Sequence, residues 1–117
     1  MENEILNKIQ IFIEEKRWKY DFQFSHSTRL AEDLKITGDD SVEFLIEFGK
    51  EFNVDVSNFK AADYFDGEGG EFIESIIKIF SRKKEAPKQI LTLGHLEKAV
   101  YFGRLDEEVI HDLVLPD

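Results

Sequence analysis

The chain has 117 residues, of which 42% are apolar, with 11 phenylalanines and no cysteine. This length and apolar content predict one folded domain with one hydrophobic core. The lack of cysteine excludes disulfide frameworks, thiolate zinc sites and cysteine catalysis. The net charge of −10 at pH 7 repels nucleic-acid phosphates and anionic membranes, so the natural partner is a protein with a basic patch.

The first ten residues contain no basic region followed by an apolar run, so we expect no signal peptide. The apolar stretches are also too short to span a bilayer. These two observations together predict a cytoplasmic protein.

The N-terminal segment 3–18 is predicted to form an amphipathic helix, because its apolar residues recur at helical spacing. Residues 19–39 form a long connection that contains regularly placed apolar residues, which are Phe22, Phe24, Leu30, Leu34 and Ile36. This pattern predicts a connection that is pinned to the core.

A second helix is predicted at about 40–53. Asp40 is its candidate N-cap, and Glu43 three residues later completes a pair like a capping box. Leu45, Phe48 and Phe52 form its predicted buried stripe, with Phe44 beside it. Glu43, Glu47 and Glu51 recur at i, i+4 spacing and form an acidic stripe.

The C-terminal half is predicted to contain further helices. Residues 54–65 are predicted to form a loop and a short helix with Ser57 as its cap. The glycine-rich segment 66–70 then breaks the chain, and a strong helix is expected after it at about 71–82. A closing helix begins at Thr92 and stops at Gly103, and Asp106 caps a final turn. Since no strand-like alternation is present, the predicted fold class is all-α.

Two segments resemble the signature of acyl carrier proteins, namely Glu32-Asp33-Leu34 and Asp40-Ser41-Val42-Glu43. They match at one offset without a gap, together with the ending Glu51-Phe52. The resemblance covers residues 28–66 and implies an acyl-carrier-like helical bundle over residues 1–117. The helix at about 71–82 is then an insertion, the helix at about 92–103 closes the bundle, and the last residues are a helical extension.

The chain also looks like a bacterial family of uncharacterised acyl-carrier-like proteins. The shared residues are Thr28, Leu30, Asp33, Leu34 and the segment GDDSVEF at 38–44.

Acyl carrier proteins attach 4'-phosphopantetheine to a signature serine, and the matching position here is Gly38. Glycine offers no hydroxyl, so the resemblance implies a carrier-like protein without a cofactor. Ser41 becomes an alternative attachment site if the alignment slips by three residues, and it is otherwise an exposed residue in the first helical turn. Members of the family dock on basic patches through acids of this helix, which makes Asp39, Asp40, Glu43, Glu47 and Glu51 the candidate partner-binding residues. An acidic stripe is, however, more commonly a solvated helix face.

Other candidate sites are weaker. The acids around the glycine-rich turn, Asp63, Asp66, Glu68 and Glu71, lack the spacing of a calcium-binding loop, so a solvated turn is favoured and no metal site is predicted. His26, His95 and His111 lack metal-ligand spacing. His26 lies among Ser25, Ser27 and Thr28, but no nucleophile motif surrounds it, so catalysis there is not expected.

The leading hypothesis is therefore a non-enzymatic, carrier-like protein-interaction module without pantetheine. One alternative is a working acyl carrier modified at Ser41. Another is a small immunity or regulatory protein that neutralises a basic target. An apolar pocket between the helices remains an open alternative, since phenylalanines can line such a space.

Overall fold

The computed structural model describes residues 2–65 and 89–116. Helix α1 spans Glu2–Lys16, α2 spans Asp39–Phe52, and α3 spans Leu93–Phe102. A 3₁₀ turn at Ala61–Asp63 and a π-helical turn at Glu108–Asp112 accompany them. Within these two ranges there is no strand, only two isolated β-bridges, so the described structure is mostly helical as expected.

The predicted helix at about 71–82 and the glycine-rich breaker before it lie outside the described residues. In the part that is described, no helix has the length and apolar character needed to cross a membrane.

Helices α1 and α2 pack through a cluster of phenylalanine rings. The ring of Phe12 on α1 lies 5.6 Å from that of Phe44, 6.4 Å from Phe48 and 5.6 Å from Phe52, measured between centroids. Phe48 is fully buried, and Leu45 is buried beside it. The predicted apolar stripe of α2 is therefore confirmed, since helical spacing places these residues on one face.

The predicted capping of α2 is wrong. The helix begins at Asp39, so Asp40 is its second helical residue and its side chain points outward. Gly38 is the N-cap with a φ of 61°, a conformation that favours glycine. Ser41 Oγ donates a hydrogen bond to the Gly38 carbonyl at 2.6 Å. Ser41 is only 1% exposed, which contradicts its predicted place on the surface.

The predicted role of Ser57 is also wrong. Its N–H and its hydroxyl both donate to the Asp55 carboxylate, at 2.9 and 2.7 Å, and this lowers the pKa of Asp55. Ser57 thus closes a turn with Asp55, and the 3₁₀ turn starts only after Lys60. Tyr64 and Phe65 are buried as predicted.

The predicted limits of α3 are confirmed. Thr92 Oγ1 accepts the His95 N–H, while His95 Nδ1 accepts the Thr92 N–H at 3.0 Å, which forms a reciprocal capping box. Gly103 ends the helix in the left-handed region with a φ of 83°. Asp106 Oδ1 accepts the Val109 N–H at 3.0 Å and so caps the final turn as expected.

The long connection between α1 and α2 is pinned to the core, as predicted. Its side chains Phe24, Leu30, Leu34 and Ile36 are buried, although Phe22 remains exposed. The connection also pairs with the segment that leads into α3. Leu30 N–H donates to the Leu91 carbonyl at 2.9 Å and Leu93 N–H donates to the Thr28 carbonyl at 2.9 Å.

The two described ranges meet near Asp63, whose carbonyl accepts the Gln89 N–H at 2.9 Å. This closure is compatible with an insertion between these residues, which stays a prediction.

Gly49 is predicted to be essential for the end of α2. A Cβ at this position would lie 2.7 Å from the Val54 carbonyl oxygen, a backbone atom that cannot rotate away. Gly49→Ala should destabilise the protein by about 1–3 kcal/mol, because overpacking outweighs the ~1 kcal/mol that alanine gains in helix propensity. Urea unfolding measures the difference. The exposed neighbour variant Lys50→Ala should stay within about 0.5 kcal/mol of wild type, and an equally stable Gly49→Ala protein would contradict the prediction.

Candidate functional site

The acids of α2 form an exposed face. Asp40, Glu43, Glu47 and Glu51 are all exposed, so helical spacing places the predicted acidic stripe toward solvent. Asp39 is the first residue of the helix, and its side chain lies outside the described structure. The structure therefore brings four of the five predicted partner-binding side chains to one surface.

A cleft of about 260 Å³ lies between the end of α1 and the first half of α2. Side chains of both signs line it, namely Lys16, Arg17, Asp40, Glu43, Phe44 and Glu47. Lys16 Nζ lies 2.9 Å from Glu47 Oε1, and this hydrogen bond raises the pKa of Lys16 and lowers that of Glu47. Neither Glu43 nor Glu51 has an ion pair with any described residue. Three carboxylates and two cations line the cleft, so Glu43 is the lining acid without an ion pair among the described residues.

Arg17 fixes one wall of this cleft. Its Nε donates to the Tyr20 hydroxyl at 2.8 Å, and that hydroxyl donates to the Leu34 carbonyl at 2.8 Å. The guanidinium lies 4.4 Å from the centroid of the Trp18 ring, a cation–π contact. It also approaches Asp40 at 3.9 Å. Arg17 is therefore held by the connection rather than free to follow a ligand.

Apolar side chains border the acidic face. Ile46 is 46% exposed and lies three residues after Glu43 on the same side of α2. Trp18 is 53% exposed next to Arg17. Exposed large apolar side chains next to charged groups can contribute apolar contact area to a protein–protein interface.

A second polar group lies where the connection meets α3. His26 Nδ1 contacts Oε1 of Glu97, a fully buried residue, while the His26 side chain is 51% exposed. The His26 carbonyl accepts the Gly94 N–H at 2.8 Å. Sequence reasoning missed Glu97, although it lies four residues after Leu93 within the apolar stripe of α3, where a buried acid is unusual.

The other two histidines have separate partners. His95 belongs to the capping box of α3. His111 Nε2 lies 2.9 Å from Glu107 Oε1 and 3.0 Å from Gln89 Oε1. Among the described residues, no group of three or more His, Cys, Asp or Glu side chains is arranged to hold a metal. Of the acids around the glycine-rich turn, only Asp63 belongs to the described ranges.

The fold and the site together define a small, mostly helical protein with an acidic cleft. The chain matches, over residues 1–105, the model of a family described as a protein of unknown function, DUF1493, and it belongs to that family. Comparison with curated proteins gave no match, and comparison with solved structures gave none either.

The family match corrects the resemblance to acyl carrier proteins. No acyl carrier protein family matches the chain, so that assignment is wrong. Two residue roles were implied only by that resemblance and are no longer supported. They are Gly38 as the lost attachment position and Ser41 as the alternative attachment site. The part of the interpretation that stands is membership of an uncharacterised family.

His95 is predicted to make stability depend on pH. Burial, then Lys98 and His111, lower the pKa of His95 to about 4 from 6.5, because the imidazolium is poorly solvated there. Between these pH values the unfolded chain binds a proton that the folded protein does not. Stability should therefore fall as the pH is lowered from 6.5 toward 4.

His95→Gln provides the matched variant, because glutamine also completes a capping box but does not titrate. Urea unfolding of both proteins at several pH values through this window measures the slope. The variant should lose part of the wild-type pH dependence. Equal slopes would show that His95 titrates alike in the folded and unfolded states.

Proposed function

We propose that this protein is a non-enzymatic interaction module that binds a basic segment of a partner protein. The binding surface is the acidic face of α2, with Asp40, Glu43, Glu47 and Glu51 as its charged residues and Asp39 at its start. The observation that carries the proposal is the cleft between α1 and α2, where three of these carboxylates line one concave surface. No cofactor or metal takes part.

The charge distribution supports a cationic ligand. Lys16 and Arg17 each approach one acid, which leaves Glu43 and Glu51 as uncompensated carboxylates in the described structure. Ion pairs between exposed groups contribute little free energy. A partner lysine or arginine can therefore replace Lys16 at Glu47 at small cost.

Charge alone would steer and orient the partner rather than hold it. Affinity needs buried apolar surface, and Ile46 and Trp18 offer it at the edge of the acidic face. The proposed ligand is therefore an amphipathic basic segment, whose cations meet the glutamates and whose apolar residues cover Ile46.

Ser41 argues against a covalently attached group at α2. Its side chain is buried and its hydroxyl donates to the Gly38 carbonyl, so acylation or phosphopantetheinylation would require the start of the helix to open.

An immunity or regulatory role is a narrower form of the same proposal, because it uses the same acidic face against a basic target. We further infer that the protein works in the cytoplasm, and its lack of cysteine is compatible with that reducing compartment.

Charge reversal on α2 should abolish the interaction. The probe is a synthetic helical peptide of lysine and leucine without tryptophan, and binding is followed by the fluorescence of Trp18, the one tryptophan of the chain. The double variant Glu43→Lys, Glu47→Lys should weaken binding at least about tenfold, and binding to the wild type should fall with salt.

The matched control is the double variant Glu4→Lys, Asp112→Lys, which changes the net charge equally at two exposed positions outside the cleft. It should bind nearly as wild type does. If both double variants lose the same affinity, the peptide responds to net charge alone and the proposed surface is wrong.

Ile46→Ser tests the apolar part of the surface. We expect binding to the same peptide to weaken about fivefold, ~1 kcal/mol, because half of an isoleucine side chain no longer becomes buried. The salt dependence should not change, since no charge is altered. Nuclear magnetic resonance titration with the peptide measures both quantities, and unchanged affinity would exclude Ile46 from the interface.

A further inference from the structure

Glu97 is the least expected side chain in the core. It is fully buried on α3 between the buried residues Leu96 and Ala99. Burying a carboxylate is costly unless hydrogen bonds and opposite charges compensate it, and an apolar residue would pack there without that cost. Groups of this kind cluster at functional sites.

The contact with Glu97 fixes the state of the His26 ring. A carboxylate oxygen accepts a hydrogen bond, so the contact with His26 Nδ1 places the ring proton on that nitrogen. In the neutral imidazole, Nε2 then carries the lone pair. Nδ1 faces the buried acid, while about half of the His26 side chain, 51%, is exposed. Nε2 has no hydrogen-bond partner in the part of the chain that the structure describes.

The backbone around His26 is held in place. The Gly94 N–H binds the His26 carbonyl, and a Cβ on Gly94 would lie only 3.0 Å from that oxygen. Glycine at this position therefore permits the close approach of the connection to α3. These contacts fix the backbone of His26 beside α3, and the contact of Nδ1 with Glu97 sets the direction of the ring.

The local chemistry around His26 differs from that of the whole protein. Although the net charge is −10, residues 22–31 include no acid, and their one arginine, Arg29, pairs with Asp33 at 2.9 Å. The exposed hydroxyl groups of Ser25 and Ser27 flank the histidine, with their oxygens 3.1 Å apart. Hydroxyl groups can donate to the oxygens of a phosphoryl group, and this part of the surface does not repel them as the acidic face does.

We propose that His26 is a modification site, whose Nε2 accepts a phosphoryl group from a small donor such as an acyl phosphate or a phosphoramidate. The Nε2 lone pair attacks phosphorus and forms the P–N bond. The bond from phosphorus to the leaving group breaks, and its electron pair departs with the leaving group. The ring keeps its Nδ1 proton and becomes an imidazolium, whose charge Glu97 stabilises. Glu97 acts here as a positioning residue.

The test uses the full chain and phosphoramidate as the probe, with ammonia as the leaving group. Intact mass should rise by one phosphoryl group, and fragmentation should place it on His26. His26→Gln should abolish this gain. Glu97→Gln should lower the rate at least about tenfold, since it removes a charged hydrogen-bond acceptor from the Nδ1 proton.

His111 is the matched internal control. Its side chain is 50% exposed, close to the 51% of His26, but its Nε2 already contacts Glu107 and Gln89. It should react more slowly, and His111→Gln should leave the His26 label intact. Equal labelling of both histidines, no label on His26, or a wild-type rate in Glu97→Gln would overturn the proposal.

The wild-type protein provides a measurement that does not depend on whether a variant folds. Long-range ¹H–¹⁵N spectra of the histidine rings report which nitrogen carries the proton. The proposal requires the Nδ1–H form for His26 at neutral pH. Finding the Nε2–H form there would overturn it.

Discussion

The backbone pairing between residues 26–30 and 91–94 is the constraint on which the rest of the structure depends. Three hydrogen bonds of 2.8–2.9 Å join the two segments, from Leu30 to Leu91, from Leu93 to Thr28 and from Gly94 to His26. They satisfy backbone groups that a loop would otherwise leave to water. A long connection thereby becomes a fixed part of the core, with Leu30 at one end of the paired segment and His26 at the other.

The same connection supports both proposed sites. At its start, Arg17 donates to the Tyr20 hydroxyl, which donates to the Leu34 carbonyl. The connection therefore holds Arg17, one wall of the acidic cleft, in place. Further along, Ile36 N–H binds the Leu30 carbonyl, and Leu30 leads to the pairing with Leu91. Hydrogen bonds, together with the short backbone stretch 34–36, therefore connect the cleft with the segment that leads into α3. Rigid backbone positions functional side chains with less loss of conformational entropy than a free loop does.

Local patterns predicted the three described α-helices and the end groups of α3, because apolar spacing and caps such as Thr92 and Gly103 act over a few residues. The start of α2 was misjudged, since its cap is the backbone of Gly38 and the buried Ser41 hydroxyl returns to it. The contact of His26 with Glu97 joins residues 71 positions apart, and no local pattern encodes such a distance. The acidic face was visible from spacing alone, whereas the cleft required the position of α1.

The mistaken resemblance to acyl carrier proteins has a physical explanation in these contacts. Asp33 accepts the Arg29 N–H at 2.8 Å and pairs with its guanidinium, which lowers the pKa of Asp33 and closes a turn. Leu34 is fully buried after that turn, and Phe52 packs on Phe12. An acid that closes a turn and apolar residues that fill a core are requirements that unrelated helical proteins share. The shared residues Asp33, Leu34 and Phe52 thus serve folding. Function must be sought in side chains that make no such contacts, such as the exposed Glu43, and in the buried Glu97, which an apolar residue could replace in the core.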